Sequence, residues 1–243
     1  MKIKVINPNS NKKMTEQIKN AINVNTKLNY KIDFDTVIDG PDSIESVVDE
    51  TYSAAALLEY LRKDMNNQYA GYVIACFGDP GLDAARELLN APIIGTAEAA
   101  MQMASLVSTR FSIVTTVARM KNYTENLVYK YGFERKCNQI RAIGCEVNSL
   151  LEPTCSSNDT VEHECREAIN NDDIGAIVLG CAGMANLAKD LSGKLGIPVI
   201  DGVLSGICLA EALFKCDIKT SKLRDYDYPN KKIYRGIYSH CGK

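Results

Sequence analysis

A repeated order of strand, cysteine, helix and strand constrains the fold of this chain more than any other feature of its sequence. The first copy is Gly71-Tyr-Val-Ile-Ala-Cys76-Phe-Gly-Asp-Pro80, a helix-like run and then Ala91-Pro-Ile-Ile-Gly95. The second copy is Gly175-Ala-Ile-Val-Leu-Gly-Cys181-Ala-Gly183, a helix-like run and then Ile197-Pro-Val-Ile-Asp201. Each first strand is an apolar run typical of a buried strand. The duplication therefore predicts two equivalent thiols at the ends of two equivalent strands.

The segments that precede the two cysteines also correspond to each other. The strand from Lys2 to Ile6 ends at Asn7, and the strand from Phe111 to Val114 ends at Thr115. Strands that alternate with helices indicate βαβ units with parallel sheets and right-handed crossovers. We therefore predict an α/β fold of two similar parallel-sheet βαβ halves, Rossmann- or flavodoxin-like, related by a pseudo-twofold. Ligands of open α/β sheets bind at the carboxyl ends of strands, so the active site is expected in the cleft between the halves.

The predicted division of the chain follows from this repeat. Residues 1–105 are predicted to form the first half and residues 106–216 the second. Part of the C-terminal segment is also allowed to pack on the first half. Residues 217–243 form a tail without clear periodicity. Its segment from Lys231 to Tyr238 fits an edge strand or subunit contact as well as a solvated end, so a homo-oligomer stays open.

Three helix starts are predicted from short polar motifs. Asp42-x-x-Glu45 and Asp159-x-x-Glu162 match the capping-box pattern. Asp79-Pro80 predicts a third start, with aspartate as the cap and proline at the first helical position.

Composition excludes several classes of function. A net charge of −2 leaves no electrostatic footprint for nucleic acid. No apolar run approaches the roughly 20 residues that cross a bilayer, and no secretory signal precedes the first strand. The 9 cysteines contain no CxxC pair and the 2 histidines, His163 and His240, lie far apart, so no metal site is expected. Free thiols are typical of a reducing compartment, which predicts a cytoplasmic protein acting on a small molecule.

The setting of the two cysteines suggests proton transfer. A thiol at a strand end before a helix faces free N–H groups, which is expected to lower its pKa. Amides around Gly78 and in the turn from Gly180 to Gly183 are expected to hold a developing enolate. One thiolate then removes a proton α to a carbonyl, and the opposite thiol returns one to the other face.

Structural interpretations of the same residues stay open. A free cysteine is commonly a small buried hydrophobe, although core packing does not require two matched positions. The turn at Asn7 is equally explained as an N-cap, and Thr115 and Thr116 as caps of the following helix. Asp79 is more simply a cap than a catalytic acid. Both histidines are expected at the solvated surface.

Several motifs resemble the aspartate/glutamate/hydantoin racemase superfamily, and within it the hydantoin racemases, including allantoin racemase. The matching pieces cover nearly the whole chain; they are Ile6-Asn-Pro-Asn-Ser10, Gly40-Pro-Asp-Ser-Ile-Glu45, Ala75-Cys-Phe-Gly-Asp-Pro-Gly81, Gly95-Thr-Ala-Glu-Ala-Ala-Met101, Phe111-Ser-Ile-Val-Thr-Thr116 and Leu179-Gly-Cys-Ala-Gly-Met184. The resemblance implies racemisation without a cofactor, with Cys76 and Cys181 as the acid/base pair. It also implies a substrate bed, to which Phe77 adds apolar contact; its members are Asn7, Pro41, Ile44, Phe77, Gly78, Asp79, Thr115, Thr116, Ala182 and Gly183.

Departures from the amino-acid racemase branch bear on the substrate. That branch has Asn-Thr after its first cysteine and Thr after its second, whereas here Phe77-Gly78 and Ala182-Gly183 follow. Neither loop holds an arginine or lysine to clamp a free carboxylate. A 5-substituted hydantoin or allantoin is therefore favoured. An aspartate or glutamate racemase, a maleate isomerase or decarboxylase, and a non-catalytic binding module remain the alternatives.

Overall fold

Two parallel sheets of four strands form the framework of the molecule. The computed structural model describes residues 1–25, 30–65, 68–151 and 156–242. The strands are β1 Lys2–Asn7, β2 Lys31–Thr36, β3 Gly71–Ile74, β4 Ile93–Gly95, β5 Phe111–Thr115, β6 Cys137–Ala142, β7 Ala176–Leu179 and β8 Val199–Ile200. The first sheet has the order β2-β1-β3-β4 and the second has β6-β5-β7-β8, so one topology occurs twice. The predicted fold of two similar parallel-sheet halves is confirmed.

Helices connect the strands and cover the faces of both sheets. Within the described ranges they are α1 Lys12–Asn25, α2 Val47–Asp64, α3 Leu82–Leu88, α4 Thr96–Val107, α5 Lys121–Lys130, α6 Ser156–Asn171, α7 Ala188–Leu195 and α8 Gly202–Lys215. Short 3-10 turns lie at Ala118–Met120, Val147–Leu151, Ala182–Met184, Arg224–Tyr226 and Gly236–Gly242. None of the helices in these ranges is long and apolar enough to cross a membrane.

The last helix of each half packs against the sheet of the other half. Helix α4 follows β4 but packs its alanine-rich face against the second sheet, through Ala97, Ala100, Met101, Ala104, Phe111, Ile113, Ala176 and Val178. Helix α8 follows β8 but packs against the first sheet, through Val203, Ile207, Ala210, Ile3, Val5 and Val73. The two helices also contact each other. The halves are therefore interlocked by buried apolar surface rather than joined by a single linker; the boundaries at residues 105 and 216 remain predictions.

Small residues allow α8 to lie directly on the first sheet. A Cβ atom added at Gly71 of β3 would lie 2.9 Å from the Cβ of Ala210. One added at Gly206 would lie 2.8 Å from Cγ1 of Val73. Both distances are shorter than real carbon–carbon contacts, so glycine is required at each position for this close approach. The tight packing holds α8 and the end of β3, which precedes Cys76, in one rigid unit.

The helix starts differ from those predicted by the capping-box pattern. Helix α2 begins at Val47 and is capped by Ser46, whose hydroxyl accepts from the amide of Asp49 at 3.2 Å. The predicted capping residues instead bridge the two halves: the Glu45 carboxylate accepts from the amide of Val147 at 2.8 Å. The prediction was wrong because Glu45 accepts a hydrogen bond from Val147 of the other half, whereas in a capping box it would bond the start of its own helix.

The second predicted capping box is also wrong. Helix α6 begins at Ser156, so Asp159 lies inside its first turn. Glu162 forms ion pairs with Arg166 at 2.8 Å and with Lys194 at 3.1 Å. Glu162 therefore forms side-chain ion pairs on the protein surface and does not take part in a helix cap.

The C-terminal tail packs on α3 of the first half. The Lys222 ammonium donates to the carbonyl groups of Arg86 at 2.6 Å and Glu87 at 3.0 Å. The guanidinium of Arg86 lies over the ring of Tyr226, 5.7 Å from its centroid. The Lys222 bonds satisfy carbonyls in the last turn of α3, which have no partner within the helix.

Candidate active site

One cleft lies between the halves, beyond the carboxyl ends of β1, β3, β5 and β7. It is lined by residues of both halves. The predicted site residues on its wall are Ile44, Cys76, Phe77, Gly78, Thr115, Thr116, Cys181, Ala182 and Gly183. Gly180, from the predicted turn, also lines it, and its other lining residues are Asn9, Met14, Glu50, Ala75, Met120, Tyr123, Thr124 and Val147.

The two cysteines occupy matching turns. Cys76 lies two residues beyond the end of β3, and Cys181 lies two residues beyond the end of β7. The carbonyl of Cys76 accepts from the amide of Asp79 at 3.0 Å, and the carbonyl of Cys181 accepts from the amide of Met184 at 3.0 Å. The amide two residues after each cysteine donates to its sulfur. The duplication seen in the sequence is thus a duplication of local geometry, and both thiols face one cleft.

The expected lowering of the thiol pKa values is wrong. Burial raises the pKa of Cys76 well above its usual range, and the nearby carboxyl of Glu50 adds to the shift. Burial raises the pKa of Cys181 to about 11. Neither sulfur lies at the start of an α-helix, because α3 begins only at Leu82 and α7 only at Ala188. Cys181 precedes only the short 3-10 turn Ala182–Met184. One amide per sulfur does not offset the loss of water.

Glu50 is a buried acid on the cleft wall. It lies in the first turn of α2 and is 5% exposed. Burial raises its pKa to about 8, and the negative charge of Asp79 acts in the same direction. A Cβ atom at Gly78 would lie 1.6 Å from Oε1 of Glu50, so the carboxyl group occupies the space that this glycine leaves beside the Cys76 turn. The Glu50 carboxyl, the Cys76 thiol and the backbone of Gly78 therefore lie side by side on the wall.

Asp79 caps a helix, but not the one that follows it. Its carboxylate accepts from the amides of Ala97 and Glu98 at 3.1 Å each, at the start of α4. The hydroxyl of Tyr131 donates to it at 2.8 Å. Complete burial still raises the pKa of Asp79 to about 7. Asp79 does not line the cleft; it ties the Cys76 turn to the helix that packs on the opposite sheet.

Replacing Asp79 by alanine is expected to lower the free energy of unfolding by about 2–4 kcal/mol, because the cap is lost and buried donors are left unpaired. Urea unfolding followed by circular dichroism measures this. Asp190→Ala is the matched control, since Asp190 is 63% exposed and forms only a surface pair with Lys194. Equal stability of the two variants would contradict the capping role.

Asn7 and Pro41 shape the wall without lining it. The Asn7 amide nitrogen donates to Oδ1 of Asn9 at 2.7 Å and to the hydroxyl of Thr15 at 3.1 Å. The carbonyl of Pro41 accepts from the amide of Ser10 at 2.8 Å. Together these bonds hold the turn after β1, and Asn9 is the residue of that turn that reaches the cleft.

The remaining predicted residues divide between packing and lining. Phe77 is 6% exposed and belongs to the apolar cluster of α4 and the second sheet, so only part of it reaches the cleft. The hydroxyl of Thr115 donates to the carbonyl of Gly180 at 3.2 Å. A Cβ atom at Gly180 would lie 2.9 Å from Cβ of Thr115, so the end of β5 presses closely on the residue before Cys181.

One group of potential metal ligands lies outside the cleft. Within the described residues it consists of Glu59, His240 and Cys241. The imidazole of His240 lies 2.5 Å from the Glu59 carboxylate, and the Cys241 thiol donates to the same carboxylate at 3.1 Å. Hydrogen bonding explains these contacts, which attach the end of the tail to α2. His240 is thus partnered, although it stays exposed as expected.

Comparison with known proteins identifies the family. The model described as Asp/Glu/Hydantoin racemase matches residues 3–210. The chain belongs to this family. The resemblance predicted from its motifs is therefore confirmed, and the chain is an enzyme of the isomerase class.

Three similar proteins match the chain over nearly its full length. The hydantoin racemase of Pseudomonas sp. (strain NS671) is 40% identical over 243 residues, 100% of this chain and 98% of the relative. The structure of allantoin racemase from Klebsiella pneumoniae superposes with a TM-score of 0.95 at 42% identity, covering 99% of this chain and 98% of that one. Allantoin racemase from Pseudomonas fluorescens gives a TM-score of 0.92 at 29% identity, covering 97% and 100%.

Proposed function

We propose that this racemase acts without a cofactor on a 5-substituted hydantoin or on allantoin, through proton transfer between Cys76 and Cys181. The observation that carries the proposal is the placement of both thiols, in matching turns after β3 and β7, on the wall of one cleft. Binding alone does not require two matched thiols, whereas inversion at a carbon requires a base on one face and an acid on the other. The proposal is also supported by relatives named hydantoin racemase and allantoin racemase.

The raised thiol pKa values are compatible with this chemistry. A thiol that resists ionisation is a stable proton donor in its neutral form and a strong base once it is ionised. In one direction Cys76 is the thiolate and Cys181 the acid; the opposite enantiomer reverses these roles. The electron pair of the broken C–H bond moves into the adjacent carbonyl, and an enolate forms between the two sulfurs. Donation of the second thiol proton to the other face completes inversion.

The charge of the cleft favours an uncharged substrate. No lysine or arginine is among the lining residues, so the described wall has no cation to clamp a free carboxylate. Glu50 would repel an anion in its ionised form. Apolar contact for a ring substituent is available from Met14, Ile44 and Met120. A cyclic substrate with an α-proton between a carbonyl and a nitrogen meets these conditions.

Single enantiomers of benzylhydantoin, allantoin and aspartate in deuterated water test the proposal. We expect loss of optical rotation with at least one ring substrate, together with one deuterium at the α-carbon, above the rate in a buffer-only control. Aspartate should keep its rotation. Racemisation of aspartate alone would overturn the ring assignment, and binding without deuterium exchange would favour the non-catalytic module. A product of lower mass would indicate a decarboxylase.

A further inference from the structure

Two of the amides expected to hold the enolate, those of Gly78 and Gly183, already interact with the sulfurs. The Gly78 amide donates to the Cys76 sulfur, and the Gly183 amide donates to the Cys181 sulfur. These bonds favour the thiolates, but they leave the substrate oxygen without those donors. If the protein works by the proposed proton transfer, on which this inference rests, that oxygen gains negative charge and needs a donor already in place.

The hydroxyl groups of Thr115 and Tyr123 on the wall are engaged as well. The hydroxyl of Thr115 donates to the Gly180 carbonyl at 3.2 Å. The hydroxyl of Tyr123 donates to the Gly78 carbonyl at 3.2 Å and also interacts with the carboxyl of Glu50. These groups brace the backbone around the two cysteines. Their protons already have acceptors within the protein.

One buried oxygen on the wall has no partner. Among the described residues, the buried side-chain oxygens without a hydrogen bond are Oε2 of Glu50, Oγ of Ser53 and Oγ1 of Thr96. Of these three residues only Glu50 lines the cleft. A buried polar atom without a partner is unfavourable in the free protein, and a ligand can supply what it lacks. Glu50 Oε2 is therefore positioned to bond the substrate.

The surroundings of Glu50 favour its neutral, protonated form. No cation of the described chain forms an ion pair with it. The groups that face it are Asp49 on its own helix, Asp79 and Cys76 in the turn after β3, and Tyr123 on α5. Burial and the two aspartates raise the pKa of Glu50 to about 8, and the Tyr123 hydroxyl only partly opposes this. A neutral carboxylic acid carries an O–H group that can donate, as an ionised one cannot.

We propose that Glu50 acts as a neutral carboxylic acid whose Oε2 hydroxyl donates a hydrogen bond to the substrate carbonyl oxygen and stabilises the enolate. Its O–H bond stays intact throughout. The proton removed from carbon goes to one sulfur, the electron pair goes to the carbonyl oxygen, and the proton returned to carbon comes from the other sulfur. Glu50 is thus a third catalytic residue beside the two cysteines, and it selects a substrate whose α-carbon carries an uncharged carbonyl.

Two variants of Glu50 show whether its hydrogen-bond donor, rather than the bulk of its side chain, is needed for catalysis. Glu50→Ala removes the donor and is expected to lower kcat by about 10²- to 10³-fold, as loss of an oxyanion donor does. Glu50→Gln keeps an N–H donor and should retain much more of kcat. Glu162→Gln is the matched control: Glu162 lies outside the cleft and, among the described residues, forms ion pairs only with Arg166 and Lys194. Wild-type kcat is expected for it.

The pH dependence of kcat/KM provides the readout that a structural role would not change. In the wild type, kcat/KM should stop rising above a pH of about 8, because the loss of the Glu50 proton there cancels the gain from thiol ionisation. The Glu50→Gln variant has no such proton, so its activity should continue to rise with thiol ionisation. This profile decides the question even if Glu50→Ala fails to fold, which thermal melts would reveal.

The outcomes distinguish this inference from the proposed function. If the wild type exchanges no α-proton of any ring substrate, the proposed function fails and Glu50 has no enolate to stabilise. If the wild type is active, two results overturn the role of Glu50 alone. One is a folded Glu50→Ala variant with wild-type kcat; the other is a Glu50→Gln variant whose kcat/KM also stops rising above pH 8.

Discussion

Serine at either position 76 or position 181 is expected to reduce racemisation by about 10²- to 10⁴-fold, the usual contribution of general acid–base catalysis. A serine hydroxyl is far less acidic than a thiol, so Cys76→Ser and Cys181→Ser each lack one of the two groups that inversion needs. Hydantoin racemisation followed by polarimetry measures the loss. Cys216→Ser is the control, because Cys216 is exposed and does not line the cleft.

The two variants should differ in which enantiomer exchanges its α-proton. With Cys76→Ser, Cys181 still reaches one face of the carbon, so the enantiomer whose proton points toward Cys181 takes up deuterium without inversion. Cys181→Ser should exchange only the opposite enantiomer. Proton NMR of each enantiomer in deuterated water separates these cases. Exchange of the same enantiomer by both variants, or full racemisation by either, would contradict a mechanism with one thiol on each face.

The cysteine positions could be predicted because their setting is local. An apolar run, a cysteine, small residues and a helix follow one another along the chain, and parallel strand ends share one edge of a sheet. The family resemblance extended this to the loops around Ile44 and Thr116, which do line the cleft. The thiol pKa values were not predictable in this way, because burial depends on residues contributed by both halves.

Glu50 was missed although its spacing contains a signal. It lies 7 residues before Leu57 and 11 before Leu61, which places it on the buried face of α2. An acid on the apolar face of a helix needs a partner or a function. The place it reaches could not be predicted, because it depends on how α2 packs beside the end of β3. The role of Asp79 could not be predicted for the same reason. The amides that it caps, those of Ala97 and Glu98, follow an intervening helix and strand.

Alanine at position 78 is expected to disable the site while leaving the fold in place. Its Cβ atom would lie 1.6 Å from Oε1 of Glu50, far inside van der Waals contact. The carboxyl group is the end of a flexible side chain, so it should move away rather than force the backbone apart. Crowding of this kind lowers the free energy of unfolding by about 1–3 kcal/mol. The displaced carboxyl no longer reaches the substrate oxygen, so kcat should fall by about 10²-fold.

A double-mutant cycle shows whether Gly78→Ala acts through Glu50. If it does, adding Gly78→Ala to Glu50→Ala should cause little further loss of kcat, because the group that it displaces is already absent. Gly193→Ala is the matched control: nothing lies within 4 Å of its added Cβ in α7, and it should raise stability by about 0.5–1 kcal/mol. Additive losses in the cycle would mean that the methyl group blocks the cleft or Cys76 directly. Non-additive losses would mean that Gly78→Ala acts by displacing the Glu50 carboxyl. Glycine at position 78 would then be needed because it leaves space for that carboxyl beside the substrate.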